Sequence, residues 1–413
     1  MASTTTSDQS RNNESPFADI SKAPPDPILG IKQKANADPN PRKVDLSVGI
    51  YQDDEGKTAN LAVVCEAQER LLKLAENAGY LPIDGHPGFI AKVKALVFGA
   101  DSAVVKEKRV AVVQSIGGTS ALRYGADFLR RYYPQSAVYI SDPSWENHRA
   151  VFQHAGFRVE TYPYYNSSTR SVDFKAMLNK IGSLPPGSIV LLHGCCHNPT
   201  GMDLTAAEWD DLVDVFCGGC LVPFIDFAYQ GFGQGIEEDA LAVRKFAAAG
   251  LSFLAATSYS KNFALYRRRL GALSVVCGSA EEAERVLSQL KIDIRTNNSN
   301  PPVDGAAIVD FILSDEDLRC RWEEECAAMR RRIQLMRGEL ISLLAKRGLG
   351  ERFSALASQT GMFSYSGLSR EEVQQLEEKF SIYAVASGRI CVAALNSRNI
   401  EYVADAIAAV SKG

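Results

Sequence analysis

Short apolar runs alternate with longer amphipathic stretches along most of this chain. Runs at 109–115 (RVAVVQS), 137–145 (AVYISDPSW), 188–195 (SIVLLHGC), 221–228 (LVPFIDFA) and 251–260 (LSFLAATSYS) predict strands. Between and before them, residues 62–78, 120–133, 147–156, 205–217 and 239–250 space their apolar positions at helical intervals. Such alternation predicts a largely parallel sheet covered by helices. From Asp315 the pattern changes: a charged, helix-periodic stretch runs to Gly348, which ends it. Strand-like 362–367, a helix over 369–380, strand-like 389–395 and a last helix over 400–412 follow. The expected fold class is therefore α/β, a mostly parallel sheet flanked by helices, with a smaller α+β domain joined to it by the long helix.

At 413 residues the chain exceeds one small core, and its composition, 46% hydrophobic and 23% charged, is that of an ordinary globular protein. Its 45 basic and 49 acidic residues leave a net charge of -4, so nothing in the charge balance favours nucleic acid or an anionic membrane, and a small-molecule partner is expected. No apolar run approaches the roughly 18–20 residues that cross a bilayer. The polar start, MASTTTSDQSRNNES, has no apolar signal core, and Asp8 and Glu14 accompany a single arginine. A cytoplasmic location is expected, with organelle import left open. Nine scattered cysteines show no disulfide framework. The CxxC at Cys217 and Cys220 lacks a second pair and reads as a glycine turn into a strand. His193, Cys195, Cys196 and His197 invite a zinc reading, but neighbours on an extended segment point to opposite faces, and no metal is expected.

In open parallel sheets, ligands bind beyond the carboxyl ends of the strands, so the polar residues just after each apolar run are the candidates. After the first run, Gly117, Gly118 and Thr119 open a helix, with bare N–H groups suited to an anion. The second run ends at Trp145, an aromatic able to stack on a flat ring. The third leads to Asn198 in a HNPTG turn. Asp226 follows four apolar residues, where a carboxylate is costly unless it meets a cation or a proton donor, and Tyr229 lies three residues on. The last run ends in Ser258, Ser260 and Lys261, with Arg269 eight residues beyond the lysine. An amine just past a buried strand is partly desolvated and easier to deprotonate, as a Schiff-base lysine requires.

These groups suit one ligand, pyridoxal 5'-phosphate. Gly118, Thr119, Ser258 and Arg269 would take the phosphate, Trp145 the ring, Asp226 the ring nitrogen, Asn198 and Tyr229 the ring oxygen, and Lys261 the aldehyde carbon.

The stretches LHGCCHNPTGMDLT, IDFAYQGFGQG, TSYSKNFALYRRRLGAL, RTNNSNPPVDGA, GMFSYSGL, YAVASGRICVAAL and YLPIDGHPGF closely resemble the class I aminotransferases, and within them the aspartate aminotransferases. The resemblance runs from about Pro16 to the C-terminus. It implies that Lys261 is the Schiff-base lysine and proton shuttle, and that Asp226, supported by His148, partners the pyridine nitrogen. It implies further that Arg389 binds the substrate α-carboxylate with help from Asn198, Trp145 and the backbone near Gly49. Tyr80 would reach the phosphate, and Arg295 the distal carboxylate, of the neighbouring subunit, which implies a homodimer with shared sites. The implied domains are a disordered segment at 1–20, one part of a small domain at 21–57, a large cofactor-binding domain at 58–328, and the rest of the small domain at 329–413. The implied reaction is ping-pong amino transfer between aspartate and 2-oxoglutarate.

Three departures stand out. Asn298 occupies a position where this family often has an aromatic residue, which points to acceptance of aromatic donors. Ala264 replaces a common glycine, and Arg267 and Arg268 add charge beside Arg269. A decarboxylase or lyase on the same fold is the competing enzyme reading, and Arg389 argues against it because its planar fork is suited to hold a carboxylate. A non-catalytic regulatory module is disfavoured by the lack of a basic stripe.

Overall fold

The computed structural model describes residues 15–58, 60–74 and 79–411. Seven strands form the main sheet: β1 (Val110–Ser115), β2 (Ala137–Asp142), β3 (Arg158–Pro163), β4 (Ile189–His193), β5 (Val222–Phe227), β6 (Phe253–Ser258) and β7 (Gly271–Val276). Their order is β1-β7-β6-β5-β4-β2-β3. β7 runs antiparallel to both of its neighbours and every other pairing is parallel. The five runs read as strands are present. β3 and β7 were not anticipated: β3 is an edge strand with an exposed, mixed pattern, and β7 follows the three arginines directly.

Neighbouring residues of the buried strands feed opposite cores. Val113, Leu191 and Phe224 pack with the helix Gly118–Tyr132 on one face. Val112, Leu192 and Ile225 join the larger cluster on the other face. This is the consequence of a side-chain period of two in a sheet covered on both sides.

The long charged helix spans Glu316–Lys346, with Asp315 capping it by accepting from the Leu318 amide at 3.1 Å. It fastens the loop that follows β6: Trp322 Nε1 donates to the Asn262 carbonyl at 2.8 Å, and its ring stacks on Phe263 at 4.4 Å. Beyond it, Phe363–Tyr365 pairs antiparallel with Arg389–Cys391. Val44–Asp45, from the start of the chain, pairs in parallel with Ile382–Tyr383. Of the segment expected to be disordered, residues 1–14 lie outside the described residues, while Ala18 closes a turn by donating to the Ser15 carbonyl at 3.0 Å. The helix expected over 62–78 is seen as Ala62–Lys73, and residues 75–78 lie outside the description. All nine cysteines are free. Among the described residues, no helix is long and apolar enough to cross a membrane.

Candidate active site

The loops leaving β1, β2, β4, β5 and β6 converge on a cavity of about 650 Å³. It is lined by Gly49, Gly118, Thr119, Trp145, Asn198, Asp226, Tyr229, Ser258, Lys261, Arg269 and Arg389, among others. A cavity of similar size, about 640 Å³, lies between the first and last helices, but none of these eleven residues lines it. The first cavity therefore gathers the candidate residues.

Asp226 sits in the floor, at the end of β5. Burial by itself pushes its carboxyl up, but His148 Nε2 at 2.7 Å outweighs this and holds it below the usual range. His148 is fully buried and leads into a relay. Its Nδ1 lies 2.9 Å from Ser144 Oγ, which lies 3.3 Å from His193 Nε2. His193 Nδ1 accepts the Asn198 amide at 3.3 Å. Burial, followed by the nearby His148, pushes His193 down to about 3, so it is neutral at physiological pH. With its Nδ1 accepting a backbone N–H, its Nε2 must donate to Ser144, and the serine proton then goes to His148 Nδ1. That leaves His148 Nε2 as the donor to Asp226, so one backbone amide fixes the direction of the whole relay.

The turn that carries Asn198 is held by Asp203, which accepts from the Cys196 and His197 amides at 2.8 and 2.9 Å and from the Thr360 hydroxyl at 2.6 Å. His197 stacks on Tyr164 at 3.9 Å and bonds to Ser141 and Thr200. Both histidines weighed as zinc ligands are thus engaged in positioning this turn.

Lys261 Nζ lies 5.2 Å from the centre of the Tyr229 ring. Burial lowers its pKa to about 8, against the attraction of Asp226 and with help from Arg269 and Arg389. Tyr229 is pushed the opposite way, far upward, by burial and by Asp226, so it stays a phenol.

Arg269 Nη1 donates to Ser260 Oγ at 3.0 Å and to the Tyr266 carbonyl at 3.2 Å, and among the described residues no carboxylate pairs with it. It faces the start of the helix Gly118–Tyr132, whose first residues have no side-chain cap. Gly117, at φ 82°, makes this approach possible, because a Cβ there would lie 2.3 Å from Arg269 Nη2. A helix N-terminus beside an unpaired guanidinium is a cradle for a phosphate.

Arg389 is 1% exposed. Its Nη1 donates to Asn198 Oδ1 at 3.1 Å and its Nη2 to the Ser47 carbonyl at 2.5 Å. Its Nε has no partner, and no carboxylate pairs with the group among the described residues. Phe363 lies under the guanidinium at 4.3 Å. The same ring excludes a side chain at position 49, where a Cβ would come within 2.6 Å of it. A buried charge without a counter-ion is costly, and an anionic ligand in the cavity resolves that cost. The donor set as a whole, a phosphate cradle, a carboxylate floor and a low-pKa amine between them, fits pyridoxal phosphate.

Tyr80 and Arg295 do not line the cavity. Tyr80 is 95% exposed, and Arg295 is exposed, its side chain bonded among the described residues only to Ser299. The segments that carry them meet where Asn300 Nδ2 donates to the carbonyl of Leu81 at 2.7 Å. Sequence reasoning did not assign Ser144, His193 or Tyr266, whose hydroxyl accepts the Tyr51 amide at 3.0 Å beside the cavity. For Ser144 and His193 a signal existed, because both stand at the carboxyl ends of predicted strands.

Residues 41–407 match the family profile described as "Aminotransferase class I and II". The chain is 49% identical over 394 residues to the aspartate aminotransferase of Pseudomonas aeruginosa, covering 95% of this chain and 99% of that protein. It is also 49% identical over 386 residues to the aromatic-amino-acid aminotransferase of Escherichia coli, covering 93% and 97%. Among solved structures, an aromatic-amino-acid aminotransferase from Burkholderia pseudomallei, covalently bound to pyridoxal phosphate, is similar with a TM-score of 0.94 at 51% identity, covering 96% and 100%.

Proposed function

The chain belongs to the class I and II aminotransferases, and from that premise we propose that it exchanges an amino group between aspartate and 2-oxoglutarate, giving oxaloacetate and glutamate, with aromatic amino acids as further donors. Its cofactor is pyridoxal 5'-phosphate. The observation that carries the reading is Arg389, a buried guanidinium with a free Nε in the same cavity as Lys261 and the Asp226–His148 pair. That geometry asks for a ligand carboxylate next to an amine and a proton-holding carboxylate.

The cofactor, when bound, supplies an electron sink that acidifies the Cα–H bond of an amino acid. Gly118, Thr119, Ser258 and Arg269 would hold its phosphate, and Asn198 and Tyr229 would hold its ring oxygen. Asp226 would keep a proton on the ring nitrogen, with His148 and the relay behind it keeping the carboxylate charged. Lys261, with a pKa of about 8, takes a proton as base and returns it as acid near neutral pH. Arg389 and Asn198 grip the α-carboxylate, and Trp145 and Gly49 wall the same corner. That grip holds the carboxylate in place while the Cα–H bond is broken.

The protein acts as a homodimer in the cytoplasm, with Tyr80 and Arg295 of each copy completing the cavity of the other. Arg295 there meets the second carboxylate of aspartate or 2-oxoglutarate. Three features support this: both residues are exposed, their segments meet at the Asn300–Leu81 bond, and Arg295 has no carboxylate partner among the described residues. The small domain, 21–57 with 329–413, closes over the large one, 58–328, when substrate binds. The direct test is a steady-state assay with aspartate and 2-oxoglutarate. Lack of turnover by cofactor-loaded protein removes the reading.

A further inference from the structure

Helix Ala280–Asn297 carries Arg295 in its last turn, and the chain leaves it through Asn298 and Ser299. Ser299 sits at φ 66°, a left-handed conformation that disfavours any residue with a Cβ. A chain of side-chain bonds holds the exit in that shape. Tyr124 Oη donates to Asn298 Oδ1 at 2.8 Å, Asn298 Nδ2 donates to the Asn300 carbonyl at 3.3 Å, and Asn300 Nδ2 reaches the Leu81 carbonyl. Ser299 Oγ accepts from Arg295 Nη1 and donates to Asn300 Oδ1 at 3.1 Å. The guanidinium is therefore oriented by a loop whose buried anchor is Tyr124.

Tyr124 is buried and belongs to the helix Gly118–Tyr132, whose first turn lines the cavity. The exit is fixed by a hydrogen bond from the Tyr124 hydroxyl in the helix beneath. We propose that Tyr124 is a specificity-determining positioning residue, which through Asn298 holds Arg295 in the orientation that selects donors bearing a second carboxylate. The inference rests on the reading that Arg295 serves the cavity of a second copy. A donor with an apolar side chain makes no use of that orientation, so losing the anchor changes preference rather than general activity.

The test uses the holoenzyme in single half-reactions, with the cofactor absorbance followed after mixing with aspartate or with phenylalanine, so that no dicarboxylate acceptor takes part. Removing the hydrogen bond to the half-buried Asn298 in Tyr124→Phe lowers kcat/KM for aspartate about tenfold. The value for phenylalanine changes less than about twofold. Asn298→Ala, which alters the loop rather than the core, reproduces the same selective loss. Combining Tyr124→Phe with Arg295→Ala gives no loss beyond Arg295→Ala alone, because the two act through one group. Equal losses for both donors, no loss for either, or additive losses in the double variant overturn the proposal. If Arg295→Ala itself leaves aspartate untouched, the reading of Arg295 fails first, and that result is separate from the behaviour of Tyr124→Phe.

Discussion

The floor of the cavity and the patch carrying Tyr80 and Arg295 treat their polar groups in opposite ways. In the floor, Asp226 is followed by His148, Ser144, His193 and the Asn198 amide, so each group meets the next within the same chain. On the patch, a tyrosine stands in solvent and a guanidinium has, among the described residues, only a neighbouring hydroxyl. Arg389 lies between these cases, buried in its own chain but with one N–H unused. On the proposed reading, the difference separates chemistry completed within one chain from chemistry shared with a second copy. Variants in the floor should fail alone and for every substrate, whereas variants in the patch should fail selectively and be repaired by a partner.

The largest effect is expected at the floor. Lys261→Ala removes the proton-transferring amine and should reduce turnover by about 10⁴-fold or more with any donor, while circular dichroism stays unchanged. A donor-dependent loss would break the comparison. Next comes Arg389→Ala, whose lost contact to a ligand carboxylate is worth about 2–5 kcal/mol, or roughly 30-fold to several thousand-fold in kcat/KM. Aspartate and phenylalanine should suffer alike, since both carry an α-carboxylate.

Arg295→Ala should lower kcat/KM for aspartate by about 100-fold, near 2.7 kcal/mol, and leave phenylalanine nearly as it was. Mixing that variant with Lys261→Ala under conditions of subunit exchange should regain activity, because hybrid dimers hold one intact cavity. Demonstrated exchange without recovery counts against the shared patch.

The smallest effect is a titration. In cofactor-free protein, labelling of Lys261 by an amine-reactive reagent should rise through pH 8, not through the ordinary lysine value of 10.5. The sign follows from burial disfavouring the charged amine. Between those two pH values the unfolded chain binds more protons, so this lysine's penalty on stability is relieved as pH rises. Asp226→Asn removes an attraction and should move the midpoint below 8. A midpoint that moves upward would show that the two groups do not face each other.

Much of this was legible in the sequence where one segment carries both the element and the function. The apolar runs end in Ser258 and Lys261, in Asp226 and before Asn198, and the structure brings those ends together. β3 was missed because an edge strand with exposed Arg158, Glu160 and Pro163 lacks a continuous apolar run. β7 is wholly buried, yet it directly follows Arg267, Arg268 and Arg269, which drew attention to the cation cluster instead. The relay was hidden for a different reason: Ser144 and Asp226 are far apart in sequence, and only the parallel packing of β2, β4 and β5 makes them neighbours. Asn298 was noticed as a departure, but its tie to Tyr124 spans two helices and no local pattern announces it.

The pairing of Val44–Asp45 with Ile382–Tyr383 sets a timetable for biosynthesis. The two strands lie about 340 residues apart, and ribosomes add roughly 5–20 residues per second, so the first strand leaves the exit tunnel about 20–70 s before its partner exists. During that interval the main sheet can assemble while the N-terminal segment stays unpaired beside it. The strand that waits leads directly into Ser47 and Gly49, so the corner that holds Arg389 is among the last parts of the nascent protein to form, and a chain stalled before residue 382 carries Lys261 without the Arg389 that shares its cavity.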